Sequence, residues 1–242
     1  MLTIINCLSI VISIAVVFCL VKSHKQTQRA LIWWNSRQSM RMYQQGEMIQ
    51  NGLLQESFVI RRHLEVSLLN PSVSQQQQDK YYLATIEKFH HSLKELSDYL
   101  FPAHIDDSLP LAIRHILAKW ESQIPKLNFQ IELPNDWHHE SVFISSVILI
   151  ALEDLLQIIS PTISHKLSLS VSLKSKKSWN ELTVNFSGIQ IFNKSNNSNL
   201  SELDYLRRAF IFLTLGECFY QKNNNDEIWY FRWRSPENTK HI

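Results

Sequence analysis

Glu47-Met48-Ile49-Gln50-Asn51-Gly52-Leu53-Leu54-Gln55-Glu56-Ser57-Phe58-Val59-Ile60-Arg61-Arg62-His63-Leu64-Glu65 is the stretch whose reading decides the fold. Ile49, Leu53, Ile60, Leu64 and Leu68 recur at helical spacing, close to a heptad stripe. No proline interrupts Gln26 to Leu69. Asn70-Pro71 then closes the segment, because the residue before a proline is driven out of the α region. The pattern predicts one long amphipathic helix over about 26–69.

Downstream, Ser72 to Gln78 reads as a polar connection carrying a four-glutamine run. A second helix is predicted over about 79–99, with Leu83, Ile86, Phe89, Leu93, Leu96 and Leu100 on one side and Phe101-Pro102 at its end. Two long helices and a short loop make an antiparallel hairpin. Two helices alone cannot bury both apolar stripes. Pairing two hairpins into a four-helix bundle can, which predicts a homodimer.

Upstream, Leu2 to Val21 carries no charge. At ~1.5 Å per residue it reaches about 30 Å, the thickness of a bilayer core. A cleaved signal peptide would need a basic leader and a small-residue cleavage site, and neither is visible. Lys22, Lys25, Arg29, Arg37 and Arg41 follow the apolar run, which predicts a single-pass anchor with the bulk of the chain in the cytoplasm. Trp33 and Trp34 sit near the membrane exit and offer interfacial anchors, although the charges before them suggest a place a turn or two beyond the headgroups.

Beyond Asp107 the pattern changes. Ser108-Leu109-Pro110 opens a helix through Trp120. Leu127 to Leu133 alternates as a strand, and Ser141 to Ile159 is a strongly apolar helix. Glu153 and Asp154 within that helix favour a buried core element over a second span. Leu167 to Leu173 and Glu181 to Phe186 read as strands, Leu203 to Leu215 as a helix and Glu227 to Trp233 as a final strand. The expected class is therefore α+β: an anchor over 1–25, a helical hairpin over 26–106, an α/β sandwich over 107–236 and a tail over 237–242.

Composition narrows the chemistry. The 242 residues carry a net charge of +2, which supplies no electrostatic footprint for nucleic acid. Four glycines are few for a site that cradles phosphates under a mobile lid. The three cysteines are scattered without metal-ligand spacing and read as reduced thiols.

The quoted stretch resembles the phosphoacceptor helix of two-component histidine kinases, in the subclass whose pattern reads Leu-His-Asp-Gly-Leu-x-Gln. On that resemblance the phosphorylated His falls on Gln50 and its acidic neighbour on Asn51, while Gln55 keeps the final Gln. A carboxamide nitrogen offers no lone pair to phosphorus, and Asn is no general base. The second half resembles the ATPase module that follows this hairpin, of the gyrase and Hsp90 kind. Glu153 matches the acid of the magnesium-coordinating helix, but Gln157 stands for its Asn. The Asp-x-Gly-x-Gly strand end corresponds to Asn185 through Gln190, with Asn185 read at the adenine-binding Asp and Gly188 the glycine that remains. The glycine-rich lid corresponds to Asn193 through Leu203, which contains no glycine. The resemblance thus implies a kinase scaffold without a catalytic residue, a cofactor or a metal.

Other groups compete for attention. His63, His90 and His91 offer relocated phosphoacceptors, yet a polar histidine on a helix surface is the ordinary case. Asp136, His138, His139 and Glu140 form a possible metal cluster or, more simply, acidic charge at a helix start. Arg61 and Arg62 are candidate partner-binding residues for an acidic response-regulator face, or a solvated helix face. Trp229, Tyr230, Phe231 and Trp233 read as core rather than base-stacking groups. The expected function is an inactive, membrane-anchored, histidine-kinase-like scaffold that pairs with itself or a related kinase and binds a signalling partner. A divergent active kinase or response-regulator phosphatase, and a structural subunit of a membrane complex, are the alternatives.

Overall fold

A computed structural model describes residues 2–69, 75–100, 104–105, 107–124, 127–162, 168–176, 178–188, 197–223 and 226–235. Helix α1 spans Leu2–Met48. One π-helical turn, Ile49–Leu53, leads into α2, Leu54–Leu69. The second hairpin helix, α3, spans Gln75–Leu100. The glutamine run expected in the connection is therefore its first turn, in keeping with the good helix propensity of glutamine.

The chain forms two compact units: Ser36–Ala103, and Met1–Asn35 together with His104–Ile242. In the hairpin unit, Lys88 Nζ pairs with Glu56 at 2.9 Å, and Tyr82 Oη donates to the His63 carbonyl at 2.8 Å. These two contacts set the antiparallel register of α2 against α3. Leu53 is buried within the unit, whereas Leu54, Phe58, Leu64, Leu83, Ile86 and Leu93 are exposed. The hairpin thus keeps an open apolar face.

In the other unit, α4 (Leu109–Gln123), α5 (Val142–Ile159) and α6 (Asn197–Thr214) accompany a five-stranded sheet. The strands are β1 (Asn128–Glu132), β2 (Ser168–Ser175), β3 (Trp179–Ser187), β4 (Glu217–Asn223) and β5 (Asp226–Arg234). Their order is β1-β2-β3-β5-β4. Only β1 and β2 pair parallel; the other neighbours are antiparallel. Alternation buries Leu169, Val171 and Leu173 of β2, Leu182, Val184 and Phe186 of β3, and Trp229, Phe231 and Trp233 of β5. The apolar residues of α5 share this core, which identifies it as the sheet-covering helix that Glu153 and Asp154 suggested. By length and composition α5 and the helix running from Ser9 are the two candidate membrane spans among the described residues, but most of α5 is buried in protein.

The tryptophans of α1 pack against protein, as suits a position beyond the headgroups rather than among them. Trp34 belongs to the core of the α/β unit, with Ala30 fully buried and Trp33 packed 6.1 Å from the Tyr205 ring of α6. Residues 26–35, assigned to the hairpin from sequence, are part of the α/β unit instead.

Candidate functional site

Gln50 and Asn51 lie on the π-turn, both exposed. A π-turn inserts one extra residue and rotates everything beyond it by about a quarter turn, a device that re-aims side chains at functional positions. Neither carboxamide can accept a phosphoryl group. Arg62 is exposed, and Arg61 pairs with Glu65 one turn on, Nε to Oε1 at 2.9 Å. His63 packs edge-on against Tyr82 across the hairpin, and His90 and His91 are exposed. Gln55 is exposed too.

The nucleotide-site positions lie in the α/β unit. On α5, Glu153 is half-buried and Gln157 exposed, while the adjacent helix face turns Asp154 and Ile158 into the core. Asp154 is fully buried, as is Glu227 of β5. Lys222 of β4 approaches Glu227 to 3.8 Å.

Strand geometry corrects the reading of β3. Even-numbered positions from Asn180 to Phe186 face the helices, and Thr183, Asn185 and Ser187 face away. Asn185 therefore points out of the sandwich, and its Oδ1 is buried without a hydrogen-bond partner among the described residues. Gly188 has φ 92°, a conformation glycine adopts freely. Counting Asp-x-Gly back from Gly188 reaches Phe186, which faces the helices and is 1% exposed. On that count a phenyl ring in the packed core, rather than the outward amide of Asn185, stands two residues before Gly188. Of the lid segment, residues 193–196 lie outside the described residues, and the stretch from Asn197 is the first turns of α6.

The loop before α5 is a structural joint. Glu140 Oε1 accepts from Asn180 Nδ2 at 2.7 Å and Trp233 Nε1 at 2.9 Å, and His138 Nε2 lies 2.8 Å from it. Ser175 Oγ donates to Asn180 Oδ1 at 2.8 Å. One carboxylate oxygen thereby holds the loop to β3 and β5. Ser141 caps α5, its hydroxyl accepting from the Ile144 N–H at 3.3 Å. Asp136 and His139 are exposed and take no part in this joint. Among the described residues no group of three acids, histidines or cysteines is placed to hold a metal ion. The sequence pointed to His138 and Glu140 as a cluster, but Asn180 and Trp233 carried no local signal, being strand residues far along the chain.

Two charge clusters complete the unit. Arg232 on the outer sheet face bonds Glu181 and also approaches Glu217 at 3.5 Å. The hydrogen bond that Arg232 donates to Glu181 is the chief cause raising its pKa. On α6, Asp204 accepts from Arg207 Nη2 at 2.9 Å and Arg208 Nε at 2.8 Å. Partial burial pulls the Asp204 carboxyl upward, but the two arginines outweigh it and hold it below its ordinary range. Cys218 is buried, and desolvation pushes its thiol well above the usual range, which makes it an inert core group.

No known family profile matches the chain, and no curated protein matches its sequence. Solved structures similar to it are histidine kinases. The catalytic domain of histidine kinase ThkA is 15% identical with a TM-score of 0.42, covering 50% of this chain and 88% of that one. Acinetobacter baumannii histidine kinase AdeS is 13% identical with a TM-score of 0.43, covering 75% of this chain and 95% of that one. The histidine kinase domain of an Erythrobacter litoralis blue-light activated kinase is 11% identical with a TM-score of 0.45, covering 73% and 95%.

Proposed function

We propose that this protein is a catalytically silent histidine-kinase-like scaffold, anchored in the membrane by Leu2 to Val21, that dimerises through its hairpin and binds a signalling partner. The observation that carries the reading is chemical. Gln50 and Asn51 stand at the phosphoacceptor positions, and neither is a nucleophile or a base. The nucleotide positions add to it. Phe186 fills the core where an acid would read adenine, and Gln157 replaces the metal-coordinating Asn.

The open apolar face of the hairpin is the dimerisation surface, and Arg61 and Arg62 on α2 offer cationic contacts to an acidic response-regulator face. The full chain, reconstituted in lipid nanodiscs with radiolabelled ATP and magnesium, should take up no acid-labile label. Label mapping to His63, His90 or His91 would overturn the silent reading in favour of a relocated phosphoacceptor. Dephosphorylation of a phosphorylated response regulator by the chain, lost in Gln55→Ala, would favour a phosphatase instead.

A further inference from the structure

A concavity in the α/β unit lies apart from Glu153, Gln157, Phe186 and Gly188. It has a volume of about 520 Å³ between the first half of α6 and the β4–β5 edge. Leu200, Leu203, Asp204 and Arg207 come from α6, and Tyr220 and Trp229 from the sheet, with Phe219 alongside. Neither Glu153, Gln157, Phe186 nor Gly188 lines it. Its size is that of a small-molecule site.

The chemistry of the walls is specific. Tyr220 and Trp229 stack at 5.3 Å between centroids with a 28° tilt, forming one aromatic wall that faces the two leucines. Trp229 is 1% exposed, and its indole N–H has no acceptor among the described residues. A buried donor left unpaired is disfavoured, so a Trp at such a place in a core ordinarily finds a partner. The polar rim is cationic. Among the described lining residues Asp204 is the one acid, and both its oxygens are engaged, Oδ1 by Arg207 and Oδ2 by Arg208. Two guanidinium groups against one carboxylate leave one net positive charge, and Arg207 itself lines the pocket.

Flat apolar walls and a positive rim together select a ligand. We propose that this pocket binds a small planar aromatic anion, its ring between the Tyr220–Trp229 wall and Leu200 and Leu203, and its carboxylate towards Arg207. Guanidinium groups favour carboxylates by geometry as well as by charge. The site is independent of the nucleotide positions, so it stands or falls apart from the silence of the scaffold.

The test is a calorimetric titration of the full chain in nanodiscs, with protein-free discs as the blank. The probes are naphthoate, the neutral naphthalene methanol and the cationic naphthylmethylamine. Saturable naphthoate binding is expected, at least tenfold tighter than either analogue. Arg207→Met should weaken it by tenfold or more, and Tyr220→Ala, which alters an exposed edge of the wall, by severalfold. Trp229→Phe shrinks the aromatic wall and should weaken naphthoate and the neutral analogue alike. Each variant is compared at an unchanged circular dichroism spectrum. If Arg207→Met fails that check, the charge preference among the three probes on the native chain decides alone. No saturable binding, equal binding of the amine, or naphthoate binding indifferent to Tyr220→Ala and Trp229→Phe would overturn the assignment.

Discussion

At the residue scale the most exacting position is Gly216, in the turn between α6 and β4. A Cβ placed there would meet the carbonyl oxygen of Arg232 on β5, which is backbone and cannot swing aside. Thr214 tightens the same turn, donating to the Phe210 carbonyl at 2.8 Å and accepting from the Gly216 N–H at 3.2 Å. Gly216→Ala should therefore lower stability by about 1–3 kcal/mol, the usual cost of overpacking. Its neighbour Leu215 has φ 53° and is fully exposed, so it holds a left-handed conformation with no packing in return. Leu215→Gly should raise stability by up to about 1 kcal/mol, and the melting temperature with it. Opposite shifts in the two melts are expected; a neutral Gly216→Ala would mean that the turn yields.

Asp204 makes a prediction in pH. Its folded pKa is depressed, so its contribution is present above the unfolded value of about 4 and is lost as pH falls through the folded one. The pair is 42% exposed on the carboxylate side, so solvent screening keeps the effect below about 1 kcal/mol. Asp204→Asn should lower the melting temperature slightly at neutral pH, and the gap between the two proteins should close below about pH 4. A gap that persists in acid would mean that the amide disturbs packing rather than charge.

At the scale of elements, the hairpin helices are held in register by Glu56–Lys88 and His63–Tyr82 while Leu64, Ile86 and Leu93 remain exposed. Burying each of these against a second copy contributes on the order of 1.5–3 kcal/mol. Ile60→Asp would set an unpaired charge beside that face, and sedimentation of the full chain in detergent should then shift from dimer to monomer. An unchanged dimer would move the interface elsewhere.

Elements also show what could be read in advance. The hairpin, α4, α5 and four of the strands were legible because their apolar residues repeat at 3.6 or 2. β4 was not: Cys218 is its single buried residue, so the edge strand Glu217–Asn223 presents no alternation to detect. Its better signal was the Asn-Asn-Asn-Asp run that follows, a turn composition between two aromatic stretches. At the proposed phosphoacceptor positions the residue types, Gln50 and Asn51, were plain in the sequence. The direction of a side chain was not, and a one-residue slip on a strand reverses the face, as at Asn185 and Phe186.

For the whole molecule, the role of α1 changes what the chain can do. Trp34 sits in the α/β core, so Trp34→Ala should cost about 3–5 kcal/mol in that unit rather than in the hairpin. Hydrogen exchange of the full chain would reveal which unit loses protection, and loss confined to Ser36–Ala103 would contradict the packing. Ala30, fully buried in the same unit, follows Val21 by nine residues, about 14 Å of helix. Given the proposed anchor, the sandwich is less a globe on a leash than a fitting bolted to the post that enters the bilayer. A twist or tilt of that post would reach the sheet with no slack between them, and a recombinant piece beginning at Ser36 would leave the bolt behind.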